Sequence, residues 1–188
     1  MQVVVYDANV LYPSVLRDVL IRVGLAGLVQ PKWTERILDE MFRNLAANRP
    51  DLGETRLART RLLMNAALRG VVVTGYDHWI DQITLPDPAD RHVLAAAIEA
   101  GADLIVTKNL KDFPIETLDA FGIGVSHPDP FLENLCVSHP AVLAGIASNI
   151  AVDWKSPEAS PQAVVDALAR DAPRASALNS SCTVGGDR

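Results

Sequence analysis

The sequence predicts an α/β domain on a parallel sheet, and two observations carry that reading. Four short apolar runs recur along the first 127 residues: Val3–Tyr6, Val71–Thr74, Leu104–Thr107 and Ile123–Val125. Runs that are apolar throughout, rather than alternating, suit strands buried on both faces. Between them, apolar residues repeat at helical spacing, and strands alternating with helices imply βαβ units covered by helices.

The elements can be justified in order. Asp7 ends the first run; Asn9 and Ser14 offer cap chemistry, Pro13 suits a first helical turn, and Val15, Leu16, Val19, Leu20 and Val23 recur at helical spacing. Thr34 is a good N-cap for a helix reaching about Asn48, with Ile37, Leu38, Met41, Phe42 and Leu45 on one face. Arg49-Pro50-Asp51 breaks it, and an arginine-rich helix follows over 54–68, stopped by Gly70. Val71–Thr74 is expected as the second strand, followed by a loop ending in Pro86-Asp87-Pro88. Asp90 opens an alanine-rich helix to Ala100 with Gly101 at its end, Leu104–Thr107 is the third strand, and a short helix over 115–120 leads to the last. Three further helices are expected over 129–137, 139–151 and 160–169. From Pro173 the sequence loses periodicity and reads as a disordered tail. The expected organisation is a domain over 1–127, a helical extension over 128–172 and a tail over 173–188.

Composition narrows the class. The 188-residue chain is 49% hydrophobic and 21% charged, enough to bury a core, and wholesale disorder is excluded. No apolar run reaches the ~18–20 residues of a membrane span, and Met1 leads into a strand-like segment rather than a signal peptide. Cys136 and Cys182 are the only cysteines, which excludes a disulfide scaffold, and no CxxC or His/Cys cluster suggests zinc. A reducing cytoplasm is the expected compartment. The net charge of −6 speaks against a passive nucleic-acid binder. Its distribution is uneven: residues 32–69 hold eight basic and five acidic side chains, and all the basic ones but Lys32 are arginines. Arginine forks onto phosphates better than lysine, although such a run reads equally as a solvated helix face.

Parallel sheets form sites outside the carboxyl ends of their strands. Asp7 follows the first strand, Asn109 the third, and Asp90 opens the helix leading into the third. Asp87 lies one turn earlier, Asp112 three residues after Asn109, and Glu40 sits mid-helix, where it is expected to face inward at the helix's edge. Carboxylates that converge repel one another unless protonated or bridged by cations, so convergence points to a hard divalent metal. Taken singly, Asp90 reads as an N-cap, Glu40 as a solvated helix residue and Asp87 as a turn former. Asp7 resists such a reading, because aspartate is depleted in strands.

These residues carry a resemblance. Tyr6-Asp7-Ala8-Asn9, the helical acid Glu40, the segment Pro86-Asp87-Pro88-Ala89-Asp90-Arg91-His92 and the segment Thr107-Lys108-Asn109-Leu110-Lys111-Asp112 together resemble a PIN-domain ribonuclease over residues 2–126. VapC-type toxins of bacterial toxin–antitoxin pairs are the nearest match. The resemblance implies a three-layer fold with a central parallel sheet. It implies an endoribonuclease dependent on Mg²⁺ or Mn²⁺ that leaves 5′-phosphate and 3′-hydroxyl ends, a homodimer, and inhibition by a cognate antitoxin. On its motifs Asp7, Glu40 and Asp90 inherit the acidic roles. The fourth position departs: Asn109 stands where many members carry Asp, and an amide can ligate through its oxygen but adds no charge. Asp112, or Asp87, is expected to restore that charge, giving Asp7, Glu40, Asp90 and Asp112 as catalytic acids and Asp7, Asp90, Asn109 and Asp112 as metal ligands. Asn9, Asp87, Thr107 and His92 are expected in support, Thr107 by orienting a carboxylate or water.

Arg56, Arg59, Arg61 and Arg69 follow Glu54 with no acid among them and are expected to flank the cleft and hold RNA phosphates. The segment 128–188, with four basic and seven acidic residues, is expected to stay away from RNA and to pack on the domain or a dimer mate, with Trp154 anchoring a link between helices. Two rival classes remain. A haloacid-dehalogenase-like phosphatase also uses a first-strand Asp and a later Thr and Lys, but its second Asp is Asn9 here, and Lys108 directly adjoins Thr107. A catalytically inactive PIN-like binding module is the other. No GxxxxGK[ST] and no GxGxxG occurs, which removes the P-loop and dinucleotide-binding classes.

Overall fold

Residues Gln2–Tyr6 form the first strand, β1, and Val4, Val5 and Tyr6 are wholly buried in it. The computed structural model describes residues 1–154 and 160–177. Three more strands, β2 (Val29–Lys32), β3 (Leu104–Val106) and β4 (Gly124–Ser126), complete one sheet in the order β2-β1-β3-β4. Every neighbouring pair is parallel, with Val4 opposite Pro31 on one side and Leu104 on the other. The chain leaves β1 towards β2 and later returns to β1's other side as β3. The strand order therefore reverses between β1 and β3, and a crevice opens at their carboxyl ends.

Helices fill the connections. α1 (Ala8–Leu11) and α2 (Ser14–Leu25) join β1 to β2, and α3 (Glu35–Asn48) and α4 (Glu54–Ala67) follow β2. α5 (Asp77–Ile80) and α6 (Arg91–Glu99) precede β3, and α7 (Ile115–Asp119) precedes β4. Thr34 caps α3 as its residue type implies, its Oγ1 accepting the Ile37 N–H at 3.0 Å. Gly101, at φ +58°, supplies the left-handed residue that ends α6. α6 packs against β1 and β3, and its Val93, Leu94, Ala95, Ala96 and Ala97 are all fully buried.

The second strand is not the one the sequence suggests. Val29–Lys32 takes that place, and Val71–Thr74 forms only an isolated parallel bridge, Val72 opposite Trp33. Trp33 donates its N–H to the Val71 carbonyl at 3.0 Å and accepts from Val73 at 2.8 Å. The reason is positional. β2 is an edge strand, where Pro31 and the exposed Gln30 are tolerated because one side of the backbone needs no ladder partner. A residue-type reading discounts such a segment. Its placement depends on Gly24 in α2, where a Cβ would lie 2.4 Å from Pro31 Cγ.

α8 (Pro128–Ser138), α9 (Pro140–Asp153) and α10 (Pro161–Leu168) make the helical extension, and their buried faces belong to the same continuous core as the sheet. Phe131 meets Tyr6 of β1 edge-on, with ring centroids 6.3 Å apart. Arg22 of α2 pairs with Asp153 at the end of α9. Trp154 is half-buried against the core, while the next residues of the expected link, 155–159, lie outside the described residues. Part of the segment expected as a tail is ordered. Residues 173–177 are helical, Ala175 and Ser176 are buried, and Asp129 Oδ1 accepts the Arg174 and Ala175 N–H groups at 2.9 and 3.2 Å. Small residues without an apolar stripe concealed this turn, because what holds it is a carboxylate 45 residues away. The rest of the expected tail, 178–188, lies outside the described residues. Among the described residues no single helix is long and apolar enough to cross a membrane.

Candidate active site

Asp7 is the first residue past β1 and is only 3% exposed. It caps α1, its Oδ1 accepting the Ala8 N–H at 2.6 Å. Its Oδ2 accepts the Asn9 side-chain amide at 2.5 Å and the Thr107 hydroxyl at 2.7 Å. Thr107 follows β3 and is fully buried. Its Oγ1 accepts from Asn9 Nδ2 at 2.9 Å and from the Asn109 N–H at 3.0 Å, so its one proton is left for Asp7. The Lys108 N–H donates to Asn9 Oδ1 at 2.9 Å, which fixes the amide the other way round, with its NH₂ towards the carboxylate and the threonine. One network thus ties the ends of β1 and β3 together at the switch point. Burial raises the Asp7 carboxyl above its ordinary value, against the lowering effect of the Thr107 and Ala8 hydrogen bonds.

Asp90 ends a 3₁₀ turn (Pro88–Asp90) at the start of α6. It stands where an N-cap would, yet its side chain makes no capping bond. Its Oδ2 is buried and has no hydrogen-bond partner. Its carboxyl is pushed up to about 7, first by burial and then by the charges of Asp7, Asp87, Asp112 and Glu40. The capping reading belongs to Asp87 instead, whose Oδ1 accepts the Ala89 N–H at 2.8 Å.

Glu40 projects from α3 with its side chain 42% exposed, and its Oε2 lies 3.8 Å from Nε2 of the buried His92. His92 Nδ1 is also buried without a partner. Asp112 is buried in the turn Leu110–Asp112. Asn109 is exposed, and its part in the network is a backbone N–H rather than its amide. Asp7, Asn9, Thr107, Asp90, Asp112, Glu40 and His92 therefore share one region.

The arginines divide. Arg61, expected to hold phosphate, is taken up by Glu35 and by Asp39 at 2.6 Å, and stacks over Phe42 at 6.0 Å. The acids that neutralise it come from α3, one turn apart, which a scan along α4 alone does not show. Arg59 and Arg69 are exposed, and Arg56 faces a cavity considered below. One contact escaped the sequence altogether: Lys108 Nζ pairs with Asp171 at 2.6 Å. Its adjacency to Thr107 was a signal, but nothing marked a partner 63 residues on.

Among the described residues no three His, Cys, Asp or Glu side chains are grouped closely enough to hold a metal ion as they stand. The chemistry of the set nevertheless fits a hard divalent cation, because its donors are carboxylate oxygens, its negative charge is uncompensated, and one buried oxygen of Asp90 is orphaned.

Comparison with known proteins agrees with this geometry. The family profile described as “PIN domain” matches residues 3–111. “Putative ribonuclease VapC50” of Mycobacterium tuberculosis (strain ATCC 25618 / H37Rv) is 35% identical over 85 residues, covering 45% of this chain. The match covers 50% of that protein, so the chain spans about half the length of this curated relative. No solved structure matches the chain.

Proposed function

The chain belongs to the PIN-domain family, and from that premise we propose that it is a metal-dependent endoribonuclease and the toxin of a toxin–antitoxin pair. Its substrate is RNA, its inhibitor a cognate antitoxin, its assembly a homodimer and its compartment the cytoplasm. Mg²⁺ or Mn²⁺ would be held by Asp7, Asp90 and Asp112 with Glu40 beside them, and Asn109 would be the weakest of the expected ligands because it is exposed. The observation that carries the reading is Asp90: a half-buried carboxylate at the strand ends, with one oxygen buried and unpartnered, lies within the field of four other acids. That arrangement is unfavourable without a cation and useful with one.

When bound, the divalent ion neutralises charge on the scissile phosphate and lowers the pKa of a water. The chain's residues prepare for this. The Thr107 hydroxyl and the Asn9 amide hold Asp7 in one orientation through Oδ2, leaving a lone pair free on Oδ1. The Lys108 and Asn109 N–H groups lock Asn9 and Thr107 in turn, so the carboxylate need not reorganise during the reaction. His92 lies behind Glu40, its Nε2 3.8 Å from the carboxylate.

The test is cleavage of end-labelled RNA with added Mg²⁺ or with chelator. Asp7→Asn should abolish cleavage while leaving the protein folded, and chelator should abolish it in the wild type. Cleavage that survives either change would refute the site. Expression of the chain should also arrest growth, relieved by the product of the neighbouring reading frame; arrest that this product leaves in place would refute the toxin assignment.

A further inference from the structure

Across Tyr12 from Glu40 lies a cavity of about 560 Å³, large enough for a nucleotide, and four arginines line it. Arg17 of α2, Arg49 at the end of α3, Arg56 of α4 and Arg170 beyond α10 all line it, with Asp171 as the one acid. We infer that this pocket binds backbone phosphates of single-stranded RNA beside the bond to be cut, and that the helical extension therefore forms part of the substrate site; the inference rests on the ribonuclease reading above.

Four arginines line one cavity in a chain of net charge −6. Among the described residues Arg17, Arg56 and Arg170 make no contact-range ion pair with a carboxylate, although the charge of Asp18 acts on Arg17 and that of Arg56 on Asp51 at longer range. Arg49 pairs at 2.7 Å with Asp51, but both are largely exposed, and such a pair is easily exchanged. The acid in the wall is already engaged, since Asp171 holds Lys108. Arg17 Nη1 is steadied by the carbonyls of Leu11 and Tyr12 at 2.8 and 3.2 Å, so its position is fixed without its charge being neutralised. Like charges repel, and a forked guanidinium is best matched by phosphate.

A strand of nucleic acid fits better than a single anion because of where the pocket opens. Tyr12 lines it and also lines the smaller cavity bounded by Asn9 and Glu40. The two cavities therefore adjoin at Tyr12, a half-buried ring, with Asn9 and Glu40 on one side of it and the arginines on the other. A polymer with a charge at every step engages both ends at once, and the ring between them offers a face for a base. The acidic net charge of 128–188 concealed this role, since Arg170 works with arginines of α2 to α4 rather than with its own segment.

The test is binding of a labelled ten-nucleotide single-stranded RNA to the full chain in chelator, across a salt series. Each phosphate contact adds about 0.7 to the salt slope of log affinity on a single strand. The double variant Arg56→Gln/Arg170→Gln should lower that slope by about 1.4. Arg36→Gln/Arg43→Gln removes the same charge from the exposed face of α3 and should leave the slope in place. An unchanged slope in the first double, or an equal fall in both, would overturn the inference. So would a nucleoside monophosphate that binds as tightly as the strand, since the pocket would then serve a free nucleotide. The two readings fail separately: pocket-dependent binding in a protein that cuts no RNA overturns only the nuclease, and normal cutting with an unchanged slope overturns only the pocket.

Discussion

Replacing Asp90 with Asn should stabilise the metal-free protein at alkaline pH while destroying its activity. The Asp90 carboxyl sits at about 7 in the folded chain against an ordinary 3.8. An acid whose pKa is raised by folding opposes folding once ionised. Its contribution is intact below about pH 4 and is lost as pH rises through 7. At about 1.4 kcal/mol per pK unit the full rise would correspond to about 4 kcal/mol. The side chain is only partly buried, so solvent screening reduces this to about 1–2 kcal/mol. For a chain of this length that is roughly 2–8 °C in melting temperature. Asn keeps the shape and removes the charge. In chelator at pH 8 the variant should melt above the wild type, and at pH 4 the two should nearly coincide. Adding Mg²⁺ at pH 8 should raise the wild type and move the variant far less. A variant that melts with or below the wild type at pH 8, or by the same margin at both pH values, would refute the argument.

Three other substitutions probe the framework. Thr107→Val removes the hydroxyl that fixes Asp7 and should lower cleavage and metal affinity about 10–100-fold, with Thr107→Ser retaining most of both; equal activity in all three proteins would count against an orienting role. Gly24→Ala puts a Cβ 2.4 Å from the rigid ring of Pro31 and should cost about 1–3 kcal/mol in chemical denaturation, with no loss expected only if α2 can shift off β2. Asp129→Ala leaves the Arg174 and Ala175 N–H groups uncapped and should cost about 1–3 kcal/mol, and melting at the wild-type temperature would show that residues 173–177 are not held there.

What could be read from the sequence was what local patterns determine. β1, α3, α4, α6 and β3 lie within a residue or two of expectation, because each pairs a strong periodicity with its own stop signals, such as Thr34 and Gly101. The positions of Asp7, Asn9, Asp90 and Thr107 were likewise visible as polar residues at the ends of apolar runs. What was hidden depended on the third dimension. β2 is a strand because it lies on an edge, not because of its residues. Asp87 and Asp90, three residues apart, exchange their plain readings because only one of them reaches a backbone N–H. Arg61 loses its freedom to two acids of α3, and residues 173–177 are ordered by Asp129.

The protein leaves two charge sets of opposite sign uncompensated on the two sides of Tyr12. The charges of Asp7, Asp112 and Glu40 act on Asp90 at the strand ends, and Arg17, Arg56 and Arg170 line the cavity on the other side of Tyr12. Folding alone would favour neutralising each set by the other, as Arg61 is neutralised by Glu35 and Asp39 and Lys108 by Asp171. Instead they remain apart, the acids short of a cation and the arginines short of an anion. A phosphodiester strand accompanied by a divalent ion supplies both. The Lys108–Asp171 pair lies where the extension meets the backbone of the acidic network, since the N–H of Lys108 fixes Asn9. Asp171→Ala should loosen both the docking of the extension and the orientation of Asp7, lowering cleavage more than it lowers the melting temperature. A variant with full cleavage and a lowered melting temperature would reduce the pair to a stabilising contact.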